Sequence, residues 1–331
     1  EGFTMTLYAT WAMRQWQQHL PPIDYQNHIF SGYQAVPIFG QWVVPPAAKG
    51  TLIATYGITG SLANQTPLHL LASWARQRGY GVVLFDWRAH GQTGQLSPAL
   101  PSDGMNEGRD YLALAVTAQA LGCPPPYWFA GYSLGGQLAL WAGWAALQAD
   151  SPLLRAQVGG VVAVCPNLDA NRSLPYLMQH PWGRYVERAI TRELKQLALA
   201  LYRAHPHAID RAAIERAHSI GTFDQELVIP PLGFATIADY YAATSPLRFI
   251  GKLHLPTLIL YAEDDPLFAP DIIPDLRQVC AGNPYIDLVL TKYGGHVGYY
   301  SSQRGQRLAN DPDRWWAWQR VLDWLDHLSA T

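Results

Sequence analysis

Charge is scarce in this chain: 23 Lys and Arg stand against 25 Asp and Glu in 331 residues, 15% of the sequence, for a net charge of −2. No basic run interrupts that balance. Nucleic acid is therefore excluded as the main partner, since phosphate binding needs clustered Lys and Arg. Cysteine is rarer still. Cys123, Cys165 and Cys280 are widely spaced and odd in number, which excludes a disulfide framework and a recognisable zinc pattern and suits a reducing, cytoplasmic compartment. No apolar run reaches the roughly eighteen residues of a membrane span, and residues 1–20 lack a signal-peptide core. The chain opens on Glu1 rather than Met, so a segment upstream of it is expected.

What the chain has instead is apolar bulk, 49% hydrophobic residues with 13 Trp, enough for a large core and for a folded enzyme rather than a disordered binder. Length alone allows one large α/β domain or two smaller ones. Short β-rich runs recur at 36–44, 51–57, 81–88, 127–133, 158–165, 257–263 and 285–292. Several are continuously apolar, as strands covered on both faces should be. Helical patterns at about 66–78, 107–121, 134–149 and 312–328 alternate with them, the rhythm of parallel strands joined by crossover helices.

Residues 171–250 break this rhythm with mixed helical periodicity and no strand. Such an insertion predicts a helical cap or lid over the strand ends, the plainer alternative being an extension of the outer helical layer. No internal repeat or low-complexity tract occurs, and the Pro/Gly/Ser-rich stretch 93–108 is too short for a domain linker.

The most informative local pattern is Gly131-Tyr132-Ser133-Leu134-Gly135, which follows an apolar strand and opens an Ala/Leu-rich helix. Strand, Gly-x-Ser-x-Gly and helix together define a nucleophile elbow, in which glycines let two backbone segments pass closely while the serine hydroxyl stands clear of the sheet. A hydroxyl needs a base to take its proton and a carboxylate to orient that base. The strand ending at Glu263 runs into Asp264 and Asp265, and the last strand leads into a glycine-rich loop carrying His296. His296 is the candidate base. Asp265 is the favoured acid because it lies one step beyond the strand and can turn back, with Asp264 as the alternative acid or a residue that fixes the turn. The Leu134 amide, next to the nucleophile at a helix N-terminus, and the Ile58 amide, after an early strand, are the expected oxyanion donors.

Other residues invite a functional reading with less support. His90 sits in a post-strand loop and is expected to pair with Asp86 or a carbonyl, while Gly91 permits a tight turn and Arg88 ties the loop down. His205 and His207 have metal-like spacing without a carboxylate cluster beside them in sequence. Trp141, Trp144, Trp315, Trp316, Trp318 and Trp324 are expected in core or interhelix contacts, although Trp315 and Trp316 cannot share one narrow stripe. Trp11 and Trp16, on an amphipathic first segment, are read as packing on the domain, covering a subunit contact or touching a lipid surface.

Taken together, the elbow, the Asp264-Asp265-Pro266 turn and His296 resemble the serine α/β-hydrolase superfamily. The stretch 223–246, with Phe223, Asp224, Gly233, Phe234, Asp239, Tyr240, Tyr241 and Ser245, narrows the resemblance to the YheT-like branch, which includes animal and yeast lipid esterases and acyltransferases. It extends over roughly residues 30–300. The resemblance implies an α/β-hydrolase fold, a mostly parallel central sheet flanked by helices, as one domain over 1–331 with the 171–250 lid within it. It also implies ester cleavage on acyl-chain or lipid-like substrates through an acyl-enzyme on Ser133, with Asp265 and His296. Alcohol acyl transfer is the nearest alternative, then amidase or peptidase activity, and last a non-catalytic binding protein. No cofactor or metal is called for; the expected partner is a small ester, with peripheral membrane contact and oligomeric state left open. One departure is visible: Tyr56 precedes Gly57 where family members usually carry His, which predicts altered loop packing more than altered acyl chemistry.

Overall fold

The computed structural model describes residues 1–16 and 20–329. Eight strands form one sheet: β1 (Gln26–Ser31), β2 (Pro37–Val43), β3 (Thr51–Thr55), β4 (Gly81–Phe85), β5 (Tyr127–Tyr132), β6 (Val158–Val164), β7 (Thr257–Ala262) and β8 (Ile286–Thr291), in the order β1-β2-β4-β3-β5-β6-β7-β8. The first two strands are antiparallel to their neighbours, whereas all pairings from β4 to β8 are parallel. The chain thus has the expected α/β architecture, with one strand more than the apolar runs predict. That strand, β1, pairs at the sheet edge and buries only Phe30, so it carries no continuous apolar signal.

The interior strands are short and nearly all buried, as their Val, Ile, Leu and Ala content demands. Helices α1 (Gly2–Trp16), α2 (Thr66–Gln77), α3 (Gly91–Leu96), α4 (Glu107–Ala120) and α5 (Leu134–Ala146) precede β6 or follow the strands they cover. The segment between β6 and β7 folds as α6 (Ala170–Gln179), α7 (Pro181–Ala204), α8 (Arg211–Arg216), α9 (Ile220–Phe223), α10 (Ile229–Leu232) and α11 (Ile237–Thr244), and no strand occurs in it among the described residues. Its apolar faces gather into a cluster of their own around Leu194, Ile214, Phe223 and Tyr240, distinct from the core about the sheet. After β7 come α12 (Ile272–Cys280), then α13 (Gln303–Ala309) and α14 (Trp316–Ser329). Trp315 is buried just ahead of α14 while Trp316 is only half-buried, as two adjacent indoles must divide.

The loops at the carboxyl edge of the sheet are tied by a buried ion pair. Arg88 donates from Nε to Asp110 Oδ2 at 2.7 Å and from Nη2 to Oδ1 at 2.9 Å, and Asp110 also accepts from the Tyr33 amide at 2.8 Å. Arg88 reaches the Tyr33 carbonyl as well, at 2.9 Å, so the loop after β4, the turn after β1 and helix α4 share one knot. Burial pushes the Asp110 carboxyl up to about 6 against the pull of Arg88. Replacing Asp110 with Ala leaves the guanidinium buried without its partner and is expected to cost about 3–5 kcal/mol, read as a lower urea midpoint in equilibrium unfolding.

Candidate active site

At the end of β5 the chain turns too sharply for an ordinary residue. Ser133 adopts φ 55° and ψ −128°, a sparsely populated region for a side-chain-bearing residue. A β-carbon on Gly131 would lie 2.1 Å from the Gly135 carbonyl oxygen, and one on Gly135 would lie 2.4 Å from that of Tyr56. Both positions therefore have to be glycine. The Ser133 amide donates to Val164 at 2.9 Å, and its carbonyl accepts from Gly136 at 3.0 Å and Gln137 at 3.2 Å, which locks the strained turn between sheet and α5.

The neighbouring strand ends bring the other groups to it. His296 Nε2 lies 2.9 Å from Ser133 Oγ, and Nδ1 lies 2.8 Å from Asp265 Oδ2. Asp265 is almost wholly buried and His296 nearly so. Phe268 packs edge-on against the imidazole with ring centroids 5.1 Å apart, which limits its rotation. Asp264 points elsewhere: its Oδ1 accepts from the amides of Gly294 and Gly295 at 2.8 and 2.9 Å. Of the two adjacent carboxylates, one meets the imidazole and the other fixes the loop that carries it.

Leu134 directly follows Ser133 at the start of α5, and Leu134 and Ile58 line the same cavity as Ser133. Tyr56 is fully buried, and its hydroxyl donates to Asp86 Oδ1 at 2.6 Å. Asp86 also accepts from the amides of Leu62 and Gln92 at 2.8 and 2.9 Å. The unusual Tyr56-Gly57 pair thus anchors the loop carrying Ile58 from below. His90 is buried, stacks on Trp87 with centroids 3.6 Å apart, and meets the carbonyls of Arg88 at 2.9 Å and Ile58 at 2.8 Å rather than Asp86. His205 meets the Gly94 carbonyl at 3.1 Å while His207 is exposed, so the pair does not converge on one point. Trp141 donates to the Thr244 carbonyl at 2.9 Å and packs with Trp144 on Phe249.

The sequence reading missed several neighbours of the site. Cys165, Asp265 and His296 offer ligand atoms within 4.8 Å of one another. They do not fit a metal: burial, reinforced by Asp265, pushes the thiol up so that it stays protonated, and both imidazole nitrogens are committed. Thr6 of α1 accepts from the His296 amide at 2.7 Å, a contact across the whole chain. Two cavities meet at Ser133. One is lined by Leu174, Leu177, Ile190, Leu194, Leu197 and Phe223 from the segment between β6 and β7, together with Asp103 and Asp224. Burial and mutual repulsion raise Asp103 well above the usual carboxylate range, and burial raises Asp224 to about 7. The other cavity is lined by His296, α1 and the loop 57–67. Asp224 lies in the stretch that carried the narrower family resemblance; Thr6 and Asp103 had no local signal.

The alpha/beta hydrolase fold family matches residues 50–302. The chain belongs to that family. It is 48% identical to the "Putative esterase slr0264" of Synechocystis sp. over 99% of this chain and 92% of that one. The "Putative esterase YheT" of Escherichia coli is 28% identical over 86% of this chain and 79% of its own length, in keeping with the YheT-like branch. An esterase of Pyrococcus furiosus, Pf2001, shares the fold with a TM-score of 0.58 at 15% identity, covering 93% of each chain.

Burial against Trp87 pushes the His90 imidazole down to about 4, with the two carbonyls opposing that shift. Because the unfolded chain protonates His90 near its ordinary value while the folded one does not, the unfolded state binds more protons between about pH 6.5 and 4. Acidification through that window should therefore erode the stability His90 contributes, by up to about 3 kcal/mol. Urea unfolding of the wild type and of His90→Gln across this range checks it: the gap between them should change with acid in the sense that disfavours the wild type.

Proposed function

We propose that this α/β hydrolase is a serine esterase acting on acyl-chain esters, with residues 171–250 as the lid over its acyl cavity. The observation that carries the reading is the hydrogen-bonded chain Ser133, His296, Asp265 opening onto a largely apolar cavity. The esterase names of its relatives favour the same chemistry. Ser133 Oγ attacks the ester carbonyl while His296 Nε2 takes its proton, and Asp265 holds the imidazole tautomer and stabilises its positive charge. The Leu134 and Ile58 amides stabilise the tetrahedral oxyanion; in support, Leu134 directly follows the nucleophile at the start of α5 and Ile58 lines the same cavity as Ser133. His296 then protonates the leaving alcohol, and the acyl-enzyme is resolved by water activated by the same imidazole.

No helix among the described residues is long and apolar enough to cross a membrane, and exposed Leu7, Tyr8 and Trp11 of α1 are the groups that would make peripheral lipid contact. A cytoplasmic location is part of the same proposal.

Ser133→Ala should lower kcat/KM for p-nitrophenyl butyrate by about 10⁴-fold or more, with its unfolding free energy from urea titration within about 1 kcal/mol of wild type. Asp265→Asn should cost about 10⁴-fold in kcat by disturbing the tautomer, whereas Asp264→Asn, which keeps an acceptor oxygen for the Gly294 and Gly295 amides, should cost less than about tenfold. Full activity in Ser133→Ala overturns the assignment. Adding a short alcohol to the assay and separating free acid from new ester tells hydrolysis from acyl transfer.

A further inference from the structure

Ser133 lies at the junction of the two cavities, and they differ in what surrounds them. The imidazole decides their roles, on the reading of the site given above. His296 must deliver a proton to the departing alcohol oxygen, so the alcohol leaves on the side that His296 lines. Only the second cavity includes His296. The acyl chain then occupies the insertion-roofed cavity, and the alcohol part of the ester faces α1.

Helix α1 is a built wall and not a loose arm. A β-carbon on Gly2 would lie 1.7 Å from the Asp264 carbonyl oxygen, so the first turn sits directly on the acidic turn of the site. Thr6 Oγ1 donates to the Gly2 carbonyl at 2.8 Å and accepts from the His296 amide at 2.7 Å, while Ala9, Ala12 and Met13 are buried against the core. The same helix sends Thr10, Met13 and Arg14 to the cavity wall. Opposite lie Thr59, Asn64 and Gln65, all neutral. Asn64 and Gln65 are largely occupied within their own loop, where Gln65 Nε2 donates to the Thr59 carbonyl at 3.0 Å and Asn64 Oδ1 accepts from the Ser61 amide at 3.0 Å.

Apart from His296, Arg14 is the one charged side chain lining this cavity among the described residues, and no carboxylate lies within 4 Å of it there. Across Ser133, the acyl cavity has Asp103 and Asp224, whose carboxyls burial holds toward protonation. The two sides of the nucleophile thus differ: one presents a guanidinium, the other a largely apolar wall. We propose that the α1-lined cavity is the alcohol-binding site and that Arg14 selects esters whose alcohol part carries a phosphate. A guanidinium fork matches phosphate oxygens, and its attraction adds to the hydrogen-bonding groups around it. Arg14 is exposed, so the preference is screened by salt.

The test compares 1-octanoylglycerol 3-phosphate with 1-octanoylglycerol, which share acyl chain and glycerol, both as monomers in solution. In the wild type kcat/KM should favour the phosphate ester by about tenfold at low ionic strength, and 0.5 M salt should shrink that ratio. Arg14→Gln should bring the ratio to about one, mainly through KM; Arg14→Lys should keep part of it, and Arg14→Glu should invert it. Equal rates on the two esters in the wild type, or a ratio that Arg14→Gln and Arg14→Glu leave unchanged, overturns the inference. Turnover of p-nitrophenyl butyrate separates the two levels. If the wild type hydrolyses it while the phosphate ratio stays flat, only the role of Arg14 falls; if it hydrolyses none of these esters, the esterase reading falls and takes the Arg14 role with it.

Discussion

Two backbone segments cross at the end of β5 with no space for a β-carbon on either side of Ser133, and the rest of the site is arranged around that crossing. A serine at positive φ is costly, of the order of 1–3 kcal/mol, and persists only where its surroundings over-determine it. Here the parallel pairing of β5 to β3 and β6, the bond from Ser133 to Val164, and the first turn of α5 do so together. Because the sheet is parallel from β4 to β8, the carboxyl ends of β3, β5, β7 and β8 lie on one edge, and four separate loops can converge on a single hydroxyl.

Holding those loops still is a separate task, and buried polar groups carry it out. Asp86 gathers Tyr56, Leu62 and Gln92 beneath the Ile58 loop, and Arg88 with Asp110 knots the turns beside it. Asp264 holds the glycine loop that presents His296, and Thr6 closes the same loop from the opposite face. Each of these carboxylates accepts more than one donor, which is how a chain with so little charge can bury acids at a functional edge without leaving them unsatisfied.

Much of this was legible in the sequence, and what was not has a physical reason. The interior strands announced themselves because both faces are covered, so their apolar residues run without alternation; β1 did not, since it is an edge strand with Phe30 alone inside. Ser133 and His296 were recognisable because an elbow and a glycine loop constrain local backbone. Asp264 and Asp265 are neighbours in one turn, and which of them faces the imidazole is a matter of side-chain direction that no residue pattern encodes. Thr6 and Asp103 depend on contacts across long stretches of chain, and tertiary packing alone brings them to the site. Trp11 and Trp16 turned out to be exposed, 58% and 38%, because α1 turns Ala9, Ala12 and Met13 inward instead.

The scarcity of charge also changes how much a single charged residue means. On a surface dense with Lys and Glu, an arginine at a cavity wall would find a carboxylate nearby and signify little. Here most of the arginines near functional loops are engaged: Arg88 with Asp110, and Arg172 with Asp169 and Asp275. Arg14 faces the His296 side of the nucleophile without such a partner among the described residues, while Asp103 and Asp224 sit on the other side, held toward protonation by burial. An ester with an apolar acyl chain and an anionic alcohol would meet favourable surroundings at both ends in only one orientation. On the proposed role of His296, that orientation would direct the leaving oxygen to the imidazole, so the asymmetry proposed to select a substrate would also align it for attack.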